Sequence, residues 1–413
     1  MSQPVTSSIS DKHKLLGLDH LRAVAITSVF LFHYQFFGHP AWEKNVAGFG
    51  WTGVDLFFVL SGFLIAGQLF STIAKGKTIS LREFFVKRFF RIIPPYLVVL
   101  ILYFSFPAVV SEWGHLSPFW RYLTFTLNFG LDARVYGTFS HAWSLCVEEQ
   151  FYLILPITFW LFSYFKGGKK AVYLIIALFV AGFLIRLWNW YYFVEPAMST
   201  NDFGAFWNKY VYYPTYNRLD GLLVGVSIAG AFAFYPRFKE WADKYSSIIL
   251  LVGLVLLGTA YLISTPQDTF YTCAFGFPLI ALAYGTILVA VVCPSSIFYR
   301  LKSRVTSQIA TLSYSIYLVH KIMIHLTQGL LEKVGINKNS NLTMLACIIA
   351  SIAGALAMRY IIEKPALRLR DKVLDRWRER NGEVVLKSSG PRDSLTWEGK
   401  GGVSPSDNMN LHG

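Results

Sequence analysis

The sequence predicts an all-α fold, a polytopic transmembrane helix bundle of about ten spans with both termini cytoplasmic. Three observations carry that expectation. The 413-residue chain is 54% hydrophobic and 17% aromatic, with only 15% charged residues. A soluble domain holds about 25% charged residues, so this chain lacks the polar surface to cover itself in water. Apolar segments of spanning length recur along most of it. The basic residues between those segments are shared unequally, and that asymmetry sets the orientation.

In chain order the expected spans are roughly 18–37, 52–71, 92–110, 143–163, 171–194, 213–234, 246–264, 272–294, 309–331 and 342–362. The apolar stretch from Phe119 to Leu131 is too short to span and reads as an interfacial or re-entrant piece. One set of gaps carries Lys75, Lys77, Arg82, Lys87, Arg88 and Arg91, then Lys166, Lys169 and Lys170, and the pattern repeats at Arg237 to Lys244 and Arg300 to Arg304. With the N-terminal segment and tail, that side holds about 27 basic residues against about six on the other. The basic side is cytoplasmic. The same asymmetry accounts for the net charge of +14 through anionic lipid headgroups and needs no nucleic acid.

The first apolar run is a full span with no small-residue cleavage site after it, so an uncleaved anchor is expected. Cys146, Cys273, Cys293 and Cys347 fall in or beside apolar spans without paired spacing, which suggests neither disulfides nor a metal site. No inverted internal repeat is visible. After Glu363 the composition turns basic from Arg368 to Arg380, then rich in Gly, Ser, Asn and Pro. The expected organisation is a cytoplasmic segment over 1–17, a membrane domain over 18–365, and a basic amphipathic helix with a disordered tail over 366–413.

Ionisable residues inside the spans are the functional signal, because charge in hydrocarbon is costly and function is its default explanation. Arg22 and His33 are eleven residues apart, about three helical turns, so they share one face about 16 Å apart. With Arg22 at the cytoplasmic end, His33 lies near the middle of a core about 30 Å thick. Asp55 falls about 6 Å below the outer surface, and Glu148 and Glu149 about 8–10 Å down, with Arg218 and Asp220 at similar depth. His320 reaches the depth of His33. Arg218 and Asp220 are candidates for mutual pairing. A common depth across five helices suggests one polar cavity. At the cytoplasmic face, Arg88 and Arg91 stand three residues apart beside Arg22. On a helix they point to one side and suit phosphate through bidentate bonds, although inner-face anchoring also places arginine there.

Several of these residues sit in runs that resemble the acyltransferase-3 family of membrane O-acyltransferases. The resemblance rests on the Arg22-to-His33 spacing, the run Gly53-Val54-Asp55-Leu56-Phe57-Phe58, and Arg88-Phe89-Phe90-Arg91. It also rests on Trp143-Ser144-Leu145-Cys146-Val147-Glu148-Glu149-Gln150-Phe151-Tyr152 and on Leu312-Ser313-Tyr314-Ser315-Ile316-Tyr317-Leu318-Val319-His320. It covers approximately residues 14 to 365. It implies an acyltransferase of groups other than aminoacyl groups, moving an acyl group, most often acetyl, from cytoplasmic acyl-CoA to a hydroxyl. The acceptor would be a carbohydrate, glycolipid or small molecule of the cell envelope, modified on the extracytoplasmic side. The implied location is a bacterial inner (plasma) membrane. Some members append an extracytoplasmic hydrolase-like domain; with so little chain after span ten, such a partner is expected as a separate protein. Acetyl-CoA is the expected donor, and no metal is expected.

The resemblance and the depths together suggest that Arg88 and Arg91 bind the CoA phosphates and Arg22 guides the pantetheine arm inward. His33 would act as general base on the acceptor hydroxyl, or would itself carry the acyl group as an acyl-imidazole. Glu149 is a candidate to hold the imidazole tautomer or to bind the acceptor hydroxyl. Tyr317 and His320 are further candidates, Tyr317 as a donor to an oxyanion or as packing. Asp55, Glu148, Arg218 and Asp220 complete the expected polar cavity. Aromatic residues at Trp188 to Tyr192 and at Phe203 to Tyr213 suit either a sugar acceptor or the interfacial belt. A proton-coupled transporter or flippase would also use buried carboxylates and histidines. That reading gives no account of Arg88 and Arg91, and a non-catalytic scaffold leaves the shared depth unexplained.

Overall fold

A computed structural model describes residues 16–76, 78–164 and 170–380. The expected N-terminal segment up to residue 15, the tail from Asn381, and the basic residues Lys77, Lys166 and Lys169 lie outside the described residues. Every described regular element is helical. The ten apolar segments each carry a helix: α1 Leu16–Tyr34, α2 Gly53–Ala74, α3 Leu81–Ser105, α4 Trp143–Tyr164, α5 Lys170–Asn189 and α6 Asp220–Phe234. After α7 Pro236–Lys244 come α8 Ser246–Ile263, α9 Phe277–Val291, α10 Arg304–Lys333 and α11 Asn341–Met358, and the last helix is α12 Lys364–Arg380.

Six of the described helical stretches are long and apolar enough to cross a membrane, or seven if α6 and α7, which meet at 105°, form one broken span. The six run through α2, α5, α8, α9, α10 and α11. The helices outside that set include α1, α3 and α4, which carry Arg22 and His33, Arg88 and Arg91, and Glu148 and Glu149. Their ionisable residues make these three helices less apolar than the spans around them.

Local sequence sets where these helices begin. Ser80 caps α3 by accepting the Glu83 N–H at 3.3 Å, and Ser303 and Ser340 cap α10 and α11 through the Thr306 and Thr343 N–H groups. Glycine sets the closest helix contact. A Cβ at Gly62 of α2 would lie 2.1 Å from the Leu222 carbonyl oxygen, and one at Gly225 of α6 would lie 2.2 Å from that of Val59. Backbones can approach this closely only where both positions lack a side chain.

α1 packs between α10 and α2, and α12 packs on α3. A wide turn at Arg359–Glu363 joins α11 to α12, so the basic helix continues the preceding one. It buries Leu367, Arg370 and Leu374, and Arg378 meets Glu83 at 2.6 Å. The stretch after α3 folds back instead of leaving the bundle. Past a short helix at Phe119–Leu123, Leu127, Asn128, Leu131 and Phe139 are wholly buried. Phe139 takes a left-handed φ of 53°, an arrangement costing a non-glycine residue about 1 kcal/mol or more. Its ring stacks 4.6 Å from Tyr103 and 5.6 Å from Tyr122.

Two buried ion pairs brace the bundle, with an exchange of expected partners. Arg218 meets both Asp55 oxygens at 2.9 and 3.0 Å, while Asp220 is held by Arg186 at 2.6 Å. The Arg218–Asp220 pair expected from proximity does not form. Residues two apart at a helix start point to different sides, and each finds its partner across the bundle. The Arg218 guanidinium also lies 4.2 Å from the Phe277 ring centre and 4.8 Å from that of Tyr212.

Candidate active site

Helical spacing builds the site from three stripes. On α4, Ser144, Glu148 and Tyr152 recur every four residues and face one way, with Glu149 beside them. On α10, Ser313, Tyr317, His320 and Lys321 do the same. On α1, the eleven-residue interval puts Arg22 and His33 on one face. The stripes enclose two cavities, and Val54 and Tyr317 line both of them.

The first cavity is a slot of about 120 Å³ lined by Arg22, Arg88, Arg91, Glu148, Glu149 and Tyr152, with Ser144 and Tyr317 among its walls. Glu148 accepts from Ser61 at 3.0 Å, and the Tyr152 hydroxyl lies 3.1 Å from its other oxygen. Arg88 lies 4.7 Å from the Tyr152 ring centre. Arg22, Arg88 and Arg91 form no ion pair with a carboxylate among the described residues. Three guanidiniums converge there against the two carboxyls of Glu148 and Glu149, an excess of positive groups of the kind that suits an anionic group of phosphate type.

The second cavity, of about 690 Å³, is lined by His33, His141, Tyr317 and Lys321 in its depth and by Trp113, Trp207, Tyr212 and Tyr213 along its walls. Gln35, Arg134, Asn208, Gln267 and Asp268 line it from the loop regions. Arg134 pairs with Asp132 at 3.0 Å and with Asp202 at 2.5 Å, and its guanidinium holds the Asp132 carboxyl below the ordinary carboxylate range. Lys321 is buried with its ammonium 4.1 Å from the Trp113 ring centre. Trp113 in turn packs against Gly137, where a Cβ would come within 2.1 Å of the indole.

Hydrogen bonding fixes the protons of the central imidazoles. His320 Nδ1 faces only carbonyl oxygens, those of Tyr317 at 2.8 Å and Ile316 at 3.1 Å, so it must carry hydrogen. In the neutral ring Nε2 is then a lone-pair acceptor. His33 Nδ1, 2.8 Å away, must be the donor to it. His33 Nε2 is left as a lone pair with no partner among the described residues, the state a base or nucleophile requires.

Between the cavities stands a short septum. The Tyr317 hydroxyl donates to the His141 carbonyl at 2.6 Å and therefore accepts from Ser144, whose Oγ is 2.5 Å away.

Of the candidate site residues, the structure makes two groups and a remainder. Arg22, Arg88, Arg91, Glu148 and Glu149 line the slot, while His33 lines the larger cavity against His320. Glu149 and His33 therefore face different spaces, and the hydrogen-bond partner of His33 is His320. Helix rise alone puts the two at similar expected heights, but the facing of each stripe separates them. Asp55, Arg218 and Asp220 line neither cavity and sit in the paired wall behind it. Trp207, Tyr212 and Tyr213 reach the larger cavity, whereas Trp188, Tyr191 and Tyr192 are exposed outside it. Sequence reasoning missed His141, Lys321 and Trp113. The first two adjoin the quoted runs at Trp143 and His320, so reading one turn further would have found them. Among the described residues no cluster of three or more histidine, cysteine or acidic side chains is arranged to hold a metal ion.

Comparison with known proteins gives the same direction. The family described as an acyltransferase domain matches residues 15–360. The peptidoglycan O-acetyltransferase OatA of Listeria monocytogenes is 30% identical over 340 residues, covering 76% of this chain and 50% of that protein. The O-acetyltransferase OatA of Staphylococcus aureus is 30% identical over 331 residues, 74% of this chain and 50% of its own length. The putative peptidoglycan O-acetyltransferase YrhL of Bacillus subtilis is 28% identical over 375 residues, 84% of this chain and 54% of its own. The chain thus spans about half the length of these curated relatives. No solved structure matches it.

Proposed function

The chain belongs to the family of the acyltransferase domain, and from that premise we propose that it is a multi-pass membrane O-acetyltransferase. It transfers acetyl from cytoplasmic acetyl-CoA to a hydroxyl of an envelope carbohydrate on the extracytoplasmic side. In the proposed topology of ten spans with both termini inside, the slot faces the cytoplasm and the large cavity opens outward. The membrane domain over 18–365 is followed by the basic helix on the inner face.

One observation carries this reading: two cavities of opposite chemistry abut at Tyr317. On one side three guanidiniums, none of them in an ion pair among the described residues, suit the CoA phosphates, and the narrow slot suits an extended pantetheine arm. On the other side, aromatic faces with amide and carboxylate groups suit a sugar, and His33 Nε2 is free to take its proton. Parting of the Ser144–Tyr317 contact joins the two spaces and brings thioester and hydroxyl together. Glu149, on the donor side, belongs with the slot. Transporter chemistry would leave the three arginines without a substrate group.

The test uses purified protein in liposomes supplied with acetyl-CoA and an amino-sugar oligomer such as chitopentaose. Release of CoA with formation of acetylated sugar, both lost in His33→Ala, supports the assignment. Sugar crossing the bilayer without CoA release would replace it with transport.

A further inference from the structure

We propose that His141 is a further catalytic residue, the donor that holds the oxyanion formed on the acyl group opposite His33; this rests on the acetyl-transfer reading above. His141 is 2% exposed, and neither ring nitrogen has a hydrogen-bond partner among the described residues. A buried polar group left unsatisfied costs about 1–3 kcal/mol, so a protein keeps one where something else repays it. The ring lines the large cavity, with its centroid 5.7 Å from the His33 ring and 5.2 Å from that of His320.

The backbone is shaped to place it. Phe139, in its left-handed conformation, packs edge-on to the His141 ring at 5.1 Å, and the turn at Ser140–Ala142 leads straight into α4. The His141 carbonyl accepts the Tyr317 hydroxyl, so the residue is tied to the septum between the cavities. Parting of that septum is the event that brings the acyl group alongside the ring. The proton assignment leaves His33 Nε2 as an acceptor, so the group still needed in this space is a donor. The neutral His141 imidazole carries one N–H, and no group among the described residues accepts from it.

The step balances as follows. The acceptor hydroxyl oxygen bonds to the acyl carbon while His33 Nε2 takes its proton. The carbonyl electron pair moves onto oxygen, where the His141 N–H donates to it. The carbonyl then reforms, the carbon–sulfur bond breaks, and the sulfur takes the proton from His33 Nε2, giving ester and free CoA. The charge appears only in the transition state and its intermediate, so a donor placed there raises kcat more than binding.

The experiment measures acetyl-CoA turnover with chitopentaose for full-length wild type, His141→Ala, His141→Gln and His33→Ala, with melting temperatures for each. His141→Ala is expected to lose about 100-fold or more in kcat, with the KM for acetyl-CoA changed less than about threefold. His141→Gln keeps an N–H donor without an imidazole and is expected to recover at least about tenfold of that loss. His141→Ala retaining more than about a third of wild-type kcat overturns the proposal. So does His141→Gln melting like wild type yet remaining at least about 100-fold slower, whether or not the alanine variant folds. A His33-dependent wild-type reaction unaffected by His141 sinks this role alone, while no CoA release by wild type sinks the acetyl-transfer reading and this role with it.

Discussion

His33 Nδ1 donates to His320 Nε2 across 2.8 Å, between a helix at the start of the chain and one 287 residues later. The two carbonyls behind His320 Nδ1 settle the direction of that bond. A backbone feature of α10 thereby decides which nitrogen of a side chain on α1 is free to react.

His33→Ala removes the proposed base. Transfer should fall below about a tenth of wild type, a loss of more than about 1.4 kcal/mol in barrier, with normal insertion because the helix becomes no less apolar. Product formation and membrane yield together check this, and transfer above that level would exclude His33 as the essential group.

Removing the partner should act through the tautomer. His320→Ala leaves the His33 N–H without its acceptor, and kcat should drop about tenfold or more while the KM for acetyl-CoA holds. His320→Gln can offer a carbonyl oxygen in its place and should be the more active of the two. Equal activities in steady-state kinetics would mean that the His33–His320 bond does not set the reactive nitrogen.

The slot arginines should report on the donor alone. Replacing Arg88 and Arg91 together with Gln should raise the KM for acetyl-CoA, and the remaining affinity should depend less on salt. Titrations at two ionic strengths decide it; unchanged affinity and salt dependence would reduce both residues to inner-face anchors.

Tyr317→Ala removes the hydroxyl and the ring from the septum. With slot and cavity joined, water reaches the thioester, so acetyl-CoA hydrolysis without sugar should rise relative to transfer. The ratio of free acetate to acetylated sugar is the readout. No change in that ratio would place the barrier between donor and acceptor elsewhere.

Orientation can be checked without chemistry. Asn339 and Lys302 are both exposed, and the basic-residue asymmetry assigns them to opposite sides. In a background lacking the native cysteines, Asn339→Cys should react with an impermeant thiol reagent from outside. Lys302→Cys should react only after permeabilisation, and the reverse labelling would move the slot to the wrong side for cytoplasmic CoA.

The sequence by itself determined the helical class, the positions of the ten apolar segments, and the pairing of Arg22 with His33 on one face. Those properties are periodic or compositional, set by hydrocarbon solubility and by 3.6 residues per turn, and both can be read along one strand of text. It also named the arginines of the slot, because Arg88 and Arg91 lie on a single helix with Arg22 at the same end of another.

Only the tertiary structure decided which heights share a space. Helix rise alone puts Glu149 and His33 at similar expected depths, yet the rotation of α4 turns the carboxylate into the slot and leaves the imidazole to His320. Arg218 and Asp220 are neighbours in sequence and partners of other helices in space. His141 owes its place to a left-handed turn at Phe139 and to a hydroxyl on α10, neither of which leaves a mark in composition or period. Rise along a helix is a local property of the backbone, whereas the direction in which a helix faces its neighbours is fixed by packing against all of them at once.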